Sequence, residues 1–241
     1  MPEGERTVVL AIETSQRAGG VALRDRAGDA RVEPLSPRKR HDDDLIPAVE
    51  RLFVAMGLAP GDLGAVGVSA GPGGFTGLRI AVTCAKMLAL ALGVPLVAVP
   101  SALVAAEGTD APGPPPGPGS GGGPRRLVAL AAKRETFWAT TVERGGEGWQ
   151  VVGDGGAIAG PQTADLEGVS AVIGDAHLPR AFVARCARLG VPIIEPRFDP
   201  LACLILAERR LRAGCTVEPA SLAPIYARGP EAVRLRESGS S

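Results

Sequence analysis

Histidine is scarce in this sequence: His41 and His177 are the only two among 241 residues. With so few, no H-x-x-x-H or H-E-x-x-H pair can be built, and no imidazole-held metal centre is expected. Cysteine is nearly as scarce. Cys84, Cys186, Cys203 and Cys215 are widely spaced and form no C-x-x-C pair, so they read as buried thiols rather than as a disulfide or zinc set. Net charge is absent too. The 26 basic and 26 acidic residues cancel, leaving no field to draw the chain onto nucleic acid or an anionic membrane. The opening Met-Pro-Glu-Gly-Glu-Arg has neither the basic nor the apolar region of a secretion signal, which makes the cytoplasm the expected location.

Glycine and proline, by contrast, are plentiful and concentrated. From Pro112 to Pro124 every residue except Ser120 is one or the other, a composition that buries no apolar surface and reads as a flexible loop. The segments on either side of it begin alike. Val8-Val-Leu-Ala-Ile-Glu-Thr-Ser15, a polar turn and Gly20-Val-Ala-Leu23 parallel Leu127-Val-Ala-Leu-Ala-Ala132, a polar turn and Thr136-Phe-Trp-Ala-Thr-Thr-Val142. Each reads as two strands joined by a hairpin. The expectation is an α/β chain with duplicated strand-hairpin lobes, of the actin/Hsp70/sugar-kinase-like architecture. Residues 1–111 would form the first lobe, 112–124 the loop, 125–229 the second lobe and 230–241 a disordered tail. The length suffices to bury a sizeable core in one large or two small domains.

Helical patterns fall in four places. Asp42, Asp43 and Asp44 precede apolar Leu45, Ile46, Val49, Leu52, Phe53 and Met56, a one-sided helix over 43–56 ending at Gly57, with the acids reading as an N-terminal cap and solvated face. Runs at 178–189 and 200–213, separated by the strand-like Val191-Pro-Ile-Ile194, finish the second lobe. The run over 76–92 differs in kind. Arg79, Thr83 and Lys86 form one narrow polar stripe, Ala81, Ala85 and Ala89 recur every four residues, and nearly everything else is apolar. Such a helix must be covered on more than one side, by this chain or by a second one. Its two internal cations and short length make it a poor membrane span.

Between the strand-like run 63–69 and that helix lies Gly71-Pro72-Gly73-Gly74-Phe75-Thr76-Gly77, followed by Leu78-Arg79-Ile80. Glycines here permit a sharp strand-to-helix turn that approaches an anion or a closely packed neighbour. The turn is no P-loop, lacking Gly-Lys-Ser/Thr, and no dinucleotide fingerprint, because Thr76 stands where the last glycine would fall. Just before it, Gly67-Val-Ser69-Ala-Gly71 fits the G-x-S-x-G of a hydrolase elbow. The base would have to be His177, with Asp154, Asp165 or Asp175 to orient it, but Gly71-Pro-Gly-Gly intervenes where the elbow's helix should start.

The run from Gly71 to Ile80 closely resembles the G-P-G-S-F-T-G-L-R-I/V signature of the TsaB (YeaZ) family, companions of the TsaD enzyme in making threonylcarbamoyladenosine on transfer RNA. Leu10-Ala-Ile-Glu-Thr-Ser15, Arg40-His41 with Leu45-Ile-Pro47, Ala91-Leu-Gly-Val-Pro-Leu-Val97 and Pro224-Ile-Tyr226-Ala-Arg228 match further blocks in order. Departures are Gly74 for the signature serine, Asp42 for the serine after the histidine, and Ala131-Ala132-Lys133-Arg134 where the family commonly begins D-A-R, which removes an acid that could hold Mg²⁺ in a cleft.

The resemblance implies the two-lobed fold and a noncatalytic scaffold with no cofactor. It would activate a TsaD-type transferase that modifies the adenosine next to the anticodon, adenosine 37, with a TsaE-type ATPase as a further partner. It also implies a homodimer when alone and contact with transfer RNA only through the complex. The partner interface expected on this basis is His41, Leu45, Val49, Leu52, Phe53, Met56, Ile80, Ala81, Cys84, Ala85, Leu88 and Ala89, beside the signature residues Gly71 to Gly77 and Arg79. A stand-alone cleft enzyme, kinase or hydrolase, is the competing expectation.

Overall fold

Val8–Glu13 is buried at every position, as a strand covered on both faces must be, and this strand, β1, organises the first sheet. It pairs antiparallel with β2 (Gly20–Arg24) and parallel with β4 (Leu63–Ser69). With β3 (Ala30–Pro34) and β5 (Leu96–Val99) the order is β3-β2-β1-β4-β5. The computed structural model describes residues 7–16, 18–36, 41–110, 123–132, 135–153 and 155–227.

The second sheet repeats the plan. β6 (Arg125–Ala131) pairs antiparallel with β7 (Phe137–Gly145) and parallel with β10 (Val169–Gly174). β8 (Gly148–Val151) and β11 (Ile193–Ile194) complete the order β11-β10-β6-β7-β8, and β9 (Ala157–Ala159) pairs with β7. The sequence β2-β1-β4-β5 therefore matches β7-β6-β10-β11 in place and direction. This is the duplicated two-lobed α/β architecture that the paired hairpins predict.

Two helices cover the outer face of the first sheet, α1 (His41–Met56) and α2 (Phe75–Leu92). Leu45, Val49, Leu52 and Phe53 of α1 and Ala81, Ala85 and Ala89 of α2 are buried against Val8, Leu10, Ile12, Val21 and Leu23. On the second sheet α4 (Arg180–Arg188) buries Phe182 and Cys186 in the same way, the Phe182 ring lying 4.4 Å from that of Phe137.

The last two helices lie between the sheets, and each faces the other half's strands. α3 (Ser101–Gly108) packs on β6, β7 and β8, whereas α5 (Pro200–Arg212) packs on β1, β2, β4 and β5. The expectation that α5 completes the second lobe is thus corrected. Its small side chains explain the placement, since Ala207 sits so close to β4 that a Cβ at Gly67 would collide with it. α3, absent from the sequence reading, is buried on every side from Ser101 to Ala106, and so shows no polar stripe to betray a helix.

Asp44 is not the solvated acid that was expected. It is buried, and its Oδ2 accepts the Ser36 N–H at 2.6 Å, tying α1 to the end of β3. The cysteines divide: Cys186 and Cys203 are buried, Cys84 is half-buried, and Cys215, expected to be buried, is exposed at the end of α5, where the helix has run past the core. The expected tail and all of the Gly/Pro-rich loop except Gly123 and Pro124 lie outside the described residues. Gly123 is pressed against Arg144 O, and the exposed Pro124 accepts the Arg144 N–H at 3.2 Å through its carbonyl.

Candidate functional site

The turn after β4 is held at its start by close neighbours within the protein. Gly71 has φ +105°, and a Cβ there would strike the carbonyl oxygen of Ile225, so both its conformation and its surroundings demand glycine. The Ile225 N–H donates to Ala70 O at 2.7 Å, and the Ser101 N–H to Gly71 O at 2.9 Å. A Cβ at Gly73 would strike Ser15 O, the oxygen that accepts the Gly74 N–H at 2.7 Å. Thr14 Oγ1 donates to Gly77 O at 2.8 Å. Pro72 is buried within the turn, and Thr76 is exposed.

The glycines are there for close neighbours, Ser15 and Ile225, and the C-terminal Pro-Ile-Tyr block is what closes over the turn. Tyr226 stacks on Phe75 at 4.7 Å between ring centroids, and the Arg79 guanidinium lies over the Phe75 ring. Arg228 of that block is outside the described residues.

The polar residues beneath the turn do not form an open cleft. Glu13, Thr14, Ser15, Ser69 and Ser101 are fully buried. Ser69 Oγ lies 2.7 Å from Ser101 Oγ, so the residue in the elbow position is sealed at a strand end. His177 is exposed beyond β10, its N–H donating to Asp175 Oδ1 at 2.8 Å, and Asp165 accepts from the Glu167 N–H. The structure thus does not present Ser69, His177 and an acid as a triad; Asp154 lies outside the described residues. In the second hairpin turn, Lys133 and Arg134 also lie outside them. Burial pushes the Glu13 carboxyl up from its ordinary range, opposed in part by the hydroxyls of Ser15 and Ser69 and by the Ser15 N–H. Among the described residues no group of three or more His, Cys, Asp and Glu could hold a metal ion.

The open feature is on the outside of α1 and α2. An apolar groove of about 530 Å³ is lined by Ile46 of α1 and by Arg79, Ile80, Thr83, Cys84, Met87, Leu88 and Ala91 of α2. Ile46, Met87 and the adjacent Leu90 are 54%, 61% and 58% exposed. Arg79 stands at its rim without an ion-pair partner among the described residues. Burial pushes the Cys84 thiol up to about 11, so at neutral pH it is an unreactive part of an apolar wall. Lys86, on the expected polar stripe, turns away and donates to Leu222 O at 3.0 Å, fastening the C-terminal segment along α2.

Of the residues expected at an interface, Ile80, Cys84 and Leu88 line this groove. Leu45, Val49, Leu52, Phe53, Ala81, Ala85 and Ala89 do not, because they are core against the first sheet, and Met56 is half-buried at its edge. The His41 side chain is outside the described residues. The reason is geometric: small alanines go where a helix must approach a sheet closely, leaving the larger apolar side chains on the far side. Ile46, Met87, Leu90 and Ala91 were missed, although Met87 and Leu90 fall in opposite helical phase to Ala85. By length and composition α2 could cross a membrane, but its alanine side is covered by this chain's own strands.

Residues 28–155 match the family model described as TsaD, tRNA N6-adenosine threonylcarbamoyltransferase. The tRNA threonylcarbamoyladenosine biosynthesis protein TsaB of Escherichia coli is 33% identical over 54% of this chain and 53% of its own length. The protein of the same name in Bacillus subtilis is 42% identical over 39% and 41%. The chain thus spans about half the length of these curated relatives, or less. An uncharacterized protein of Mycobacterium tuberculosis is 30% identical over 95% of both chains. The solved structure of YeaZ from Pseudomonas aeruginosa shares the fold, with a TM-score of 0.74 and 23% identity over 92% of this chain and all of that one.

Proposed function

Because the chain belongs to the TsaB (YeaZ) family, within the wider group matched by the TsaD model, we propose that it is a cytoplasmic, noncatalytic scaffold in threonylcarbamoyladenosine formation on transfer RNA. It docks a TsaD-type transferase on the α1–α2 groove and holds that enzyme active for modification of adenosine 37. A TsaE-type ATPase joins the same assembly, and transfer RNA meets the scaffold only through the complex. Alone, a second copy of the chain covers the groove.

The observation that carries this reading is the groove itself. Ile46, Met87 and Leu90 place large apolar side chains in water around a concave apolar floor, a cost that a partner's side chains remove. Arg79 at the rim supplies a charge for orientation. The noncatalytic part is supported by the burial of Ser69 and by the first hairpin turn, whose Thr14 and Ser15 are committed to holding the signature.

The test is a double variant, Ile46→Glu with Met87→Glu, mixed with the TsaD-type transferase of the same genome. Both positions are exposed, so the variant folds. Its affinity for the transferase should drop by at least about 30-fold, the scale of a lost interface hot spot, and modification activity should fall with it. Binding at wild-type strength by a folded double variant would sink the reading.

A further inference from the structure

At the end of β1 a carboxylic acid is sealed inside the protein, with no cation against it among the described residues. Glu13 is fully buried; its Oε1 accepts the Ser15 N–H at 2.7 Å, whereas its Oε2 is buried and has no hydrogen-bond partner among the described residues. The Ser15 Oγ is buried and unpartnered as well. Among the described residues the elements packed around the acid supply no compensating charge. β2 contributes Gly20, β4 the hydroxyl of Ser69, and α3 that of Ser101 behind it. α2 contributes the Gly77 carbonyl gripped by Thr14, and α5 contributes the Cys203 thiol, the one titratable group facing Glu13 among the described residues. A carboxylate in such a place is desolvated by burial, with no cation among the described residues to offset the cost. A proton on Oε2 removes that charge.

The segment this acid belongs to is the one that grips the signature turn. Ser15 O receives the Gly74 N–H, and Thr14 Oγ1 donates to Gly77 O, so the first turn of α2 hangs from the two residues after Glu13. We propose that Glu13 is a buried protonation latch: neutral, it lets residues 13–15 hold the start of α2, and its ionisation as pH rises loosens that hold. The latch is a property of the fold and does not depend on which protein occupies the groove.

The sign follows from linkage. The folded protein keeps a proton that the unfolded chain releases in the ordinary carboxylate range. Stability from this group is therefore full below that range. It falls as pH rises, by about tenfold in the folding constant per pH unit, until the buried acid itself ionises. Burial is the chief cause of the raised value, with the Ser15 N–H and the nearby Ser15 and Ser69 hydroxyls opposing it.

Unfolding of wild type and Glu13→Gln is compared between about pH 5 and pH 8, together with hydrogen exchange at the amides of residues 74–78. The amide keeps an acceptor for the Ser15 N–H and cannot ionise. Wild type should lose stability relative to Glu13→Gln as pH rises, with exchange at 74–78 quickening in wild type alone; parallel profiles overturn the proposal. Cys203→Ser should keep the wild-type profile, and a flat profile there would assign the effect to the thiol instead. Should Glu13→Gln fail to fold, carboxyl carbon NMR of wild type decides. One glutamate still protonated well above the ordinary range supports the latch, and uniform titration of all glutamates within that range overturns it.

Discussion

After β4 the chain makes a glycine-rich turn and the 18-residue α2, whereas after β10, at the corresponding place in the second half, it makes a short turn and the 9-residue α4. Both helices bury one side on their own sheet. They differ on the other side. α4 ends its outward face in Arg180 and Arg188, with Val183 and Leu189 as isolated apolar residues, an ordinary amphipathic surface. α2 is apolar inward through alanines and apolar outward through Ile80, Met87 and Leu90. A duplicated scaffold can thus keep its strands nearly unchanged while one copy of an equivalent helix acquires a second apolar face. Fold is shared by the two halves, and the candidate partner surface belongs to one.

The largest expected effect separates the two faces of α2. Ala85→Arg forces a cation and excess volume between the helix and the first sheet, where Ala85 is fully buried, at a cost of roughly 3–5 kcal/mol. It should abolish cooperative thermal unfolding. Survival of a native-like melting curve would mean that the alanine face is not core.

Next comes the turn that only the first half possesses. Gly71→Ala combines positive φ with a backbone collision at Ile225 O and should cost about 2–4 kcal/mol. The comparison is Gly174→Ala at the end of β10, where φ is not positive and a new Cβ would press on the buried Leu178 side chain and approach Ala129 O, so the loss should be smaller, about 1–2 kcal/mol. Chemical denaturation of the two variants reads both values. Equal losses would show that the turns are alike after all.

The smallest effect is expected on α4. Val183→Glu changes an exposed residue on its outer face and should shift stability by no more than about 0.5 kcal/mol, leaving transferase affinity untouched in the same binding assay. A loss of binding would extend the partner surface onto the second half.

The paired hairpins were legible because alternating polar turns and apolar strands carry a period that survives duplication, as in residues 8–23 against 127–142. α3 was not, since Ser101–Gly108 is apolar on every side and too short to show a helical stripe. The signature glycines announced a close neighbour but not its identity: Ser15 and Ile225 reach the turn only through folding. The groove was hidden for a different reason. Hydrophobicity does not distinguish the two faces of α2, with Ala81, Ala85 and Ala89 toward the sheet and Met87 and Leu90 away from it. Asp44 misled because a carboxylate in the first turn of a helix normally faces solvent near the N-terminal dipole, and here it is buried and holds the exit from the preceding strand.

The exchange of α3 and α5 between the sheets bears on synthesis. A ribosome that has released residues 1–111 has delivered five strands, the outer helices and α3, but α5, which closes the inner face of the first sheet, occupies residues 200–212. Until those emerge, Val9, Ala11 and Ala65 have no lasting cover, and the nascent half is a target for chaperones and a template for aggregation. The Gly/Pro-rich stretch looks like a joint between modules, yet neither side of it can be finished without the other, so nicking or splitting the chain there should yield two fragments that solubilise only when made together.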